Sequence, residues 1–292
     1  MASLVINKLI NKIKMYGELV MFSHTLFSLP FALMAMFIAA EGLPNERVIF
    51  WIMIALFAGR NAANALNRYA DAYYDEKNPR TKDRHIPSGK LKKTEPLMIT
   101  VILYIVFVLA AYQINAICFY LSPVALILFT LYSYTKRFTW LCHVILGITC
   151  AGAPVGAWLA VRGTLDLVPV IFAAVVTLWV GGFDIIYGTQ DIKFDRNIGL
   201  HSIPAKFGLK RSLRISRGFH IIMWLLLLSL YFLSILDIAY LSGVILSGGL
   251  LILEHYIVDP EHKNIMNFAS YNINQIISII LLFTAVIDIF II

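Results

Sequence analysis

Long apolar blocks alternate with short polar connections along almost the whole chain. Nine such blocks lie near 19–40, 48–70, 97–115, 117–134, 141–160, 167–187, 219–236, 238–257 and 272–291. Each is close to the ~20 residues that a helix needs to cross a bilayer. Their apolar character is continuous rather than alternating at period two, which favours helices over a barrel. The pattern therefore predicts an all-α, polytopic membrane protein of nine transmembrane helices, read as a single domain over 1–292. The turns near Asn115 and Asp237 are the least sharply marked. Ahead of the first block, Leu4, Val5, Leu9, Ile10 and Ile13 interleave with Asn7, Lys8, Asn11 and Lys12. That spacing predicts a short helix over 1–18 lying on the inner membrane surface.

Composition agrees with this pattern and charge orients it. Sixty per cent of the 292 residues are hydrophobic and 14% are charged, against about 25% charged in soluble domains. With the N-terminus inside, the inner connections collect Lys8, Lys12, Lys14, the 68–93 cluster, Lys136, Arg137, the 193–217 cluster and Lys263; the outer ones hold Arg47 and Arg162. This bias places the N-terminus in the cytoplasm. The net charge of +7 then reads as topology signal and attraction to the anionic lipid bilayer, with no nucleic-acid partner invoked. Cys118, Cys142 and Cys150 sit in or beside the blocks without a CxxC pair and read as packing residues. The N-terminal stretch resembles neither a cleavable signal nor an Arg-rich presequence, so a bacterial inner membrane is the expected location.

Two polar stretches break the apolar regime, and they resemble each other. "LNRYADAYYDEKNPRTKDRHIPSGK" runs from Leu66 to Lys90, and "FDIIYGTQDIKFDRNIGLHSIPAKFGLKR" from Phe183 to Arg211. Asp71-x3-Asp75 matches Asp191-x3-Asp195, Ile86-Pro87 matches Ile203-Pro204, and Gly89 matches Gly208. The match suggests a repeated two-helix unit that would set two acidic helix ends around one cavity. Residues four apart share a helix face, so Asn67, Asp71 and Asp75 form one polar ladder, and Asp184, Tyr187, Asp191 and Asp195 another. The 76–95 and 196–214 stretches are expected to cap the cavity as cytoplasmic loops and keep water out.

Carboxylates one turn apart repel each other, at greater cost near lipid. Three readings answer that cost. The acids are solvated helix ends paired with nearby Lys and Arg; or they couple a cation or proton to transport; or they hold a divalent metal for a phosphate-bearing substrate. Transport sites usually lie near the bilayer midplane, whereas these acids lie at inner helix ends followed by basic segments. Mg²⁺ prefers carboxylate oxygens and fills its shell with substrate phosphate, and adjacent cations can hold the remaining phosphate charge. Neither GxGxxG nor GxxxxGK[ST] occurs, which argues against common kinases and nucleotide-driven pumps.

At these residues the chain resembles the UbiA superfamily of intramembrane aromatic prenyltransferases. The Asn-x3-Asp-x3-Asp motif stands as Asn67, Asp71 and Asp75, and the second acidic motif as Asp184, Asp191 and Asp195. "FSHTLFSLPFA" in the first block, "YSYTKRFT" (132–139) and "PVGAW" (154–158) also look like family signatures. The resemblance implies nine helices around a central cavity. It also implies Mg²⁺-dependent transfer of a polyprenyl group from a polyprenyl diphosphate to an aromatic acid, in quinone synthesis. On that basis Asp71, Asp75, Asp191 and Asp195 are expected to hold the metal, with Asn67 as oxygen partner. Asp184 is a further ligand or the base that aids proton loss, and Arg80, Arg84, Lys136, Arg137 and Lys206 neutralise diphosphate. Arg60, two turns deeper than Asn67, either pairs inside the span or binds the acceptor carboxylate through two N–H donors. His24 would line the same pocket or simply pack, and Tyr134 and Tyr187 would bond substrate or mark the interface. The leading acceptor is 4-hydroxybenzoate, for ubiquinone. The alternatives are an acceptor of a menaquinone pathway, including the futalosine branch, and, in another class, a cation-coupled transporter.

Overall fold

The structure is a computed structural model that describes residues 15–19, 25–259 and 262–291. Nine long helices run through the described residues: α1 Thr25–Ala40, α2 Glu46–Lys77, α3 Thr94–Ile114, α4 Ala116–Leu131, α5 Cys142–Arg162, α6 Leu167–Gly188, α7 Ile203–Leu233, α8 Ile238–Ile257 and α9 Asn274–Phe290. No strand occurs among the described residues. Among the described residues eight helices are long and apolar enough to cross a membrane, and Leu29–Ala40 of α1 is a shorter apolar helix. Residues 1–14 of the expected surface helix lie outside the described residues. Of the remainder, Tyr16 donates to Glu95 Oε1 at 3.0 Å and Glu18 meets His85 at 3.2 Å, so this turn rests on the 76–95 segment.

Both weakly marked turns are built by side chains that satisfy free helix ends. Asn115 ends α3 and caps α4: its Oδ1 accepts from the Cys118 amide at 2.8 Å, while its Nδ2 donates to the Leu159 carbonyl of α5 at 2.9 Å. Near Asp237, the carboxylate of Asp288 on α9 accepts from the amides of Asp237, Ala239 and Tyr240 at 2.8, 3.1 and 2.8 Å. It thereby holds the start of α8.

Two elements differ from the sequence pattern. α2 continues to Lys77, seven residues past the predicted end at 70, so its acidic ladder remains helical. The expected 196–214 loop is mostly helical: a short helix Ile192–Ile198 is followed by α7 from Ile203, broken at Gly208 (φ 73°). Ser202 caps α7 by accepting from the Ala205 amide at 3.1 Å, and Pro204 sits in the first turn, where proline is favoured. Hydrophobicity alone marked the span from 219, but the cap starts the helix four turns earlier.

The main core forms where α1 and α5 to α9 meet, around fully buried Trp179, Phe172, Met223, Leu227, Tyr240 and Leu281. Phe31 and Trp179 pack with ring centroids 4.8 Å apart. α5 and α6 approach backbone to backbone at Gly147, where a Cβ would fall on the Thr177 carbonyl. Phe232, Ile252, Ile127 and Phe283 point outward and are exposed, as a lipid-facing surface requires. The helices α2 to α5 do not close over a packed core. They enclose an apolar cavity.

Candidate active site

The two acidic stretches converge. The end of α2, the segment after it, the 3-10 turn Tyr132–Arg137, the start of α5 and the end of α6 line one polar cavity of about 210 Å³. Helix periodicity turns Asn67, Asp71 and Asp75 to that cavity from α2. Asp184 and Tyr187 come from α6, while Asp191 and Asp195 come from the 3-10 turn Thr189–Asp191 and the short helix beyond it.

Each carboxylate has a partner, and several partners come from the opposite stretch. Arg80 and Asn78, just after α2, reach across to Asp191. Arg80 Nε donates to Oδ1 at 3.0 Å and Nη2 to Oδ2, while Asn78 Nδ2 donates to Oδ1 at 3.1 Å. A third Arg80 bond goes to the Tyr187 hydroxyl at 2.6 Å. Burial alone would lower the Arg80 pKa, but the hydrogen bonds and charge of Asp191 outweigh it and raise the pKa above its ordinary value. Arg84 donates to both oxygens of Asp75 at 2.7 and 2.8 Å. Asp195 accepts from Lys136 Nζ at 3.3 Å and from Ser202 Oγ at 2.8 Å. Asp71 accepts from Asn67 at 2.9 Å. Arg137 lies over the rings of Tyr134 and Tyr74, at 4.5 and 5.3 Å, and donates to the Ala70 carbonyl at 2.7 Å.

Among the described residues no three His, Cys, Asp or Glu side chains converge as a preassembled metal cage; Asp75, Asp191 and Asp195 are turned to cations instead, and Asp71 to Asn67. The donors nonetheless suit a hard divalent ion. Five carboxylates and the side-chain amide of Asn67 line a single cavity, and such oxygens match Mg²⁺.

Other residues singled out in the sequence are placed differently. Lys206 is not among the cavity-lining residues; its ammonium lies over Trp140 at 4.2 Å, where the indole face attracts a cation. Tyr134 lies beneath Arg137 rather than on the cavity wall. His24 lies outside the described residues. Arg60 lines the apolar cavity of about 270 Å³ between α2, α3, α4 and α5. There its Nη1 donates to Cys150 Sγ at 3.3 Å, and its buried Nε has no partner among the described residues. Tyr132 and Leu146 line both cavities, so the polar and apolar spaces meet there.

Asn78, Ser202, Tyr132 and His143 are among the site residues that the sequence does not single out. Asn78 and Ser202 stand outside the x3 acid spacing and carry no charge, and Tyr132 is only the first residue of the YSYTKRFT stretch. His143 carries no spacing signal, because its partner Asp184 is 41 residues away.

The UbiA prenyltransferase family matches over residues 28–276. The chain belongs to this family. A curated relative, 4-hydroxybenzoate octaprenyltransferase of Vibrio cholerae, is 29% identical over 226 residues, covering 77% of this chain and 79% of that protein. A UbiA homologue from Aeropyrum pernix K1, solved in its apo form, superposes with a TM-score of 0.83 at 28% identity, over 91% of this chain and 98% of that one. A UbiA homologue from Archaeoglobus fulgidus, solved with GPP and Mg²⁺, has a TM-score of 0.72 at 18% identity, over 94% and 99%. The protein is thus an integral membrane prenyltransferase with the UbiA fold.

Proposed function

We infer that this prenyltransferase moves a polyprenyl group from a polyprenyl diphosphate to an aromatic acid, with 4-hydroxybenzoate as acceptor, at the inner membrane and on its cytoplasmic face. The observation that carries this reading is the bridging of the two acidic stretches by Arg80 and Asn78 beside an apolar cavity that joins theirs at Tyr132 and Leu146. A headgroup of high negative charge and a hydrocarbon tail need that pair of environments side by side. The octaprenyltransferase relative supports the acceptor, and the GPP and Mg²⁺ bound by the Archaeoglobus fulgidus homologue support the donor and the ion.

Asp71, Asp75, Asp191, Asp195 and the Asn67 amide oxygen would hold Mg²⁺, which when bound acts as a Lewis acid on phosphoryl oxygen. Arg80, Arg84, Lys136 and Arg137 then supply positive charge where negative charge develops on the leaving diphosphate. Arg80 and Arg84 already present fixed N–H forks, so little reorganisation accompanies the exchange of carboxylate for phosphate oxygen. In the apolar cavity, Arg60 at the inner end takes the acceptor carboxylate, and its unpaired Nε makes a bidentate contact available. Apolar walls and the segment over 76–95 limit water around the electron-poor prenyl carbon.

Membranes carrying the protein, supplied with a radiolabelled polyprenyl diphosphate, Mg²⁺ and 4-hydroxybenzoate, should yield an organic-soluble prenylated aromatic product. Asp71→Ala and Asp191→Ala should abolish it. Ion-dependent solute uptake without release of diphosphate would instead support transport. Product formation only with another ring acid would move the assignment to a different quinone pathway.

A further inference from the structure

Asp184 is the one acid of the two motifs that meets no Arg, Lys, Asn or Ser. Its Oδ2 lies 2.7 Å from Nδ1 of His143, while its side chain keeps 27% of its surface accessible on the cavity side. His143 is only 1% exposed, and its Nε2 is buried without a hydrogen-bond partner among the described residues. An unsatisfied buried ring nitrogen is costly, and the surrounding backbone is shaped to keep this imidazole where it is. Gly188 faces it, so that a Cβ there would come within 3.0 Å of Cε1. With Nδ1–H donating to the carboxylate, the ring fixes one oxygen of Asp184 and leaves the other for a ligand.

The position of this pair along α5 is informative. Cys150, which touches Arg60 at 3.3 Å, lies seven residues after His143 on the same helix face. Two helical turns separate the two positions by about 10 Å. A para-hydroxy aromatic acid measures about 6 Å from carboxyl to hydroxyl oxygen, and a hydrogen bond of about 3 Å at each end lets it span groups about 12 Å apart, the same scale as that separation. Leu146 lies between the two positions on α5, and it and Tyr132 are the side chains at which the cavities meet.

We propose that Asp184 receives the ring hydroxyl of the acceptor whose carboxylate Arg60 holds, and that His143 is the positioning residue that orients Asp184 for it. The proposal rests on the aromatic-acid reading above and adds a second recognition point to it. The site then selects acids by the separation of their two polar ends. A hydroxyl para to the carboxylate reaches Asp184. One ortho to it, or a ring without a hydroxyl, leaves the carboxylate unmet.

Steady-state transfer by the purified full-length protein, varying 4-hydroxybenzoate and prenyl diphosphate separately, tests this. His143→Leu should raise the acceptor KM about tenfold or more, the loss of a hydrogen bond to a charged group, with the donor KM within twofold. His143→Gln, which still donates an N–H, should recover most of the loss. Asp184→Asn preserves the packing and guards against a folding defect in His143→Leu; it should show the same acceptor-selective change. The preference for 4-hydroxybenzoate over 2-hydroxybenzoate should collapse in both defective variants. Equal rises in donor and acceptor KM, or a loss in His143→Leu that His143→Gln does not repair, would overturn the proposal while leaving the transfer reading intact. If wild-type protein transfers to no hydroxybenzoate at all, both readings fall together.

Discussion

At the scale of single residues, the site is a set of charges that neutralise one another. Arg80 is the central example, because it ties Asp191 and Tyr187 to the segment after α2. Arg80→Gln removes charge-assisted bonds worth about 1.5–3 kcal/mol, so kcat/KM for the prenyl donor should fall about 10- to 100-fold in steady-state assays. Arg80→Lys should restore little, since a single ammonium cannot reproduce the fork. Arg60→Gln should raise the acceptor KM with little change in the donor KM, measured in the same assay. The acids were legible because repeated x3 spacing on a helix has one structural meaning. His143 was not, because nothing local distinguishes a ligand-orienting histidine from a packed one. Lys206 is the converse case: charge in the right stretch suggests a phosphate contact, while in the structure its ammonium rests over Trp140.

At the scale of elements, caps and close crossings set where the site residues stand. Ser202 does two things at once, capping α7 through the Ala205 amide and donating to Asp195. Ser202→Ala should cost about 1 kcal/mol for the cap alone, read as a lowered Tm of the purified protein, together with reduced transfer from the loosened Asp195. Gly147 permits the α5–α6 crossing that brings His143 to Asp184. Gly147→Val places side-chain atoms on the Thr177 backbone and should destabilise the protein by about 1–3 kcal/mol, seen as loss of folded protein on heating in detergent. Nine apolar blocks could be read from hydropathy because each must match the bilayer. The long extension of α2 and the early start of α7 were hidden, since polar helical turns beyond a span obey caps rather than hydrophobicity. The continuation of α2 to Lys77 still agrees with the Asn-x3-Asp-x3-Asp ladder, which only a helix would align.

At the scale of the whole molecule, six helices form the packed core and α2 to α5 leave space. That division sets a cavity of charges against one of hydrocarbon, with Tyr132 and Leu146 between them. Sequence alone indicated that the two acidic stretches are equivalent, but not that the segment following one would grip the other. That contact depends on packing between helices more than a hundred residues apart. The most direct test is release of diphosphate and formation of prenylated 4-hydroxybenzoate by the purified protein during a Mg²⁺ titration after complete chelation. Both activities should vanish without the ion and return together as it is restored, with Asp71→Ala and Asp191→Ala inactive at every concentration. Undiminished transfer in the presence of excess chelator, or full activity in both variants, would contradict the claim that the paired acid clusters serve one metal-bound diphosphate.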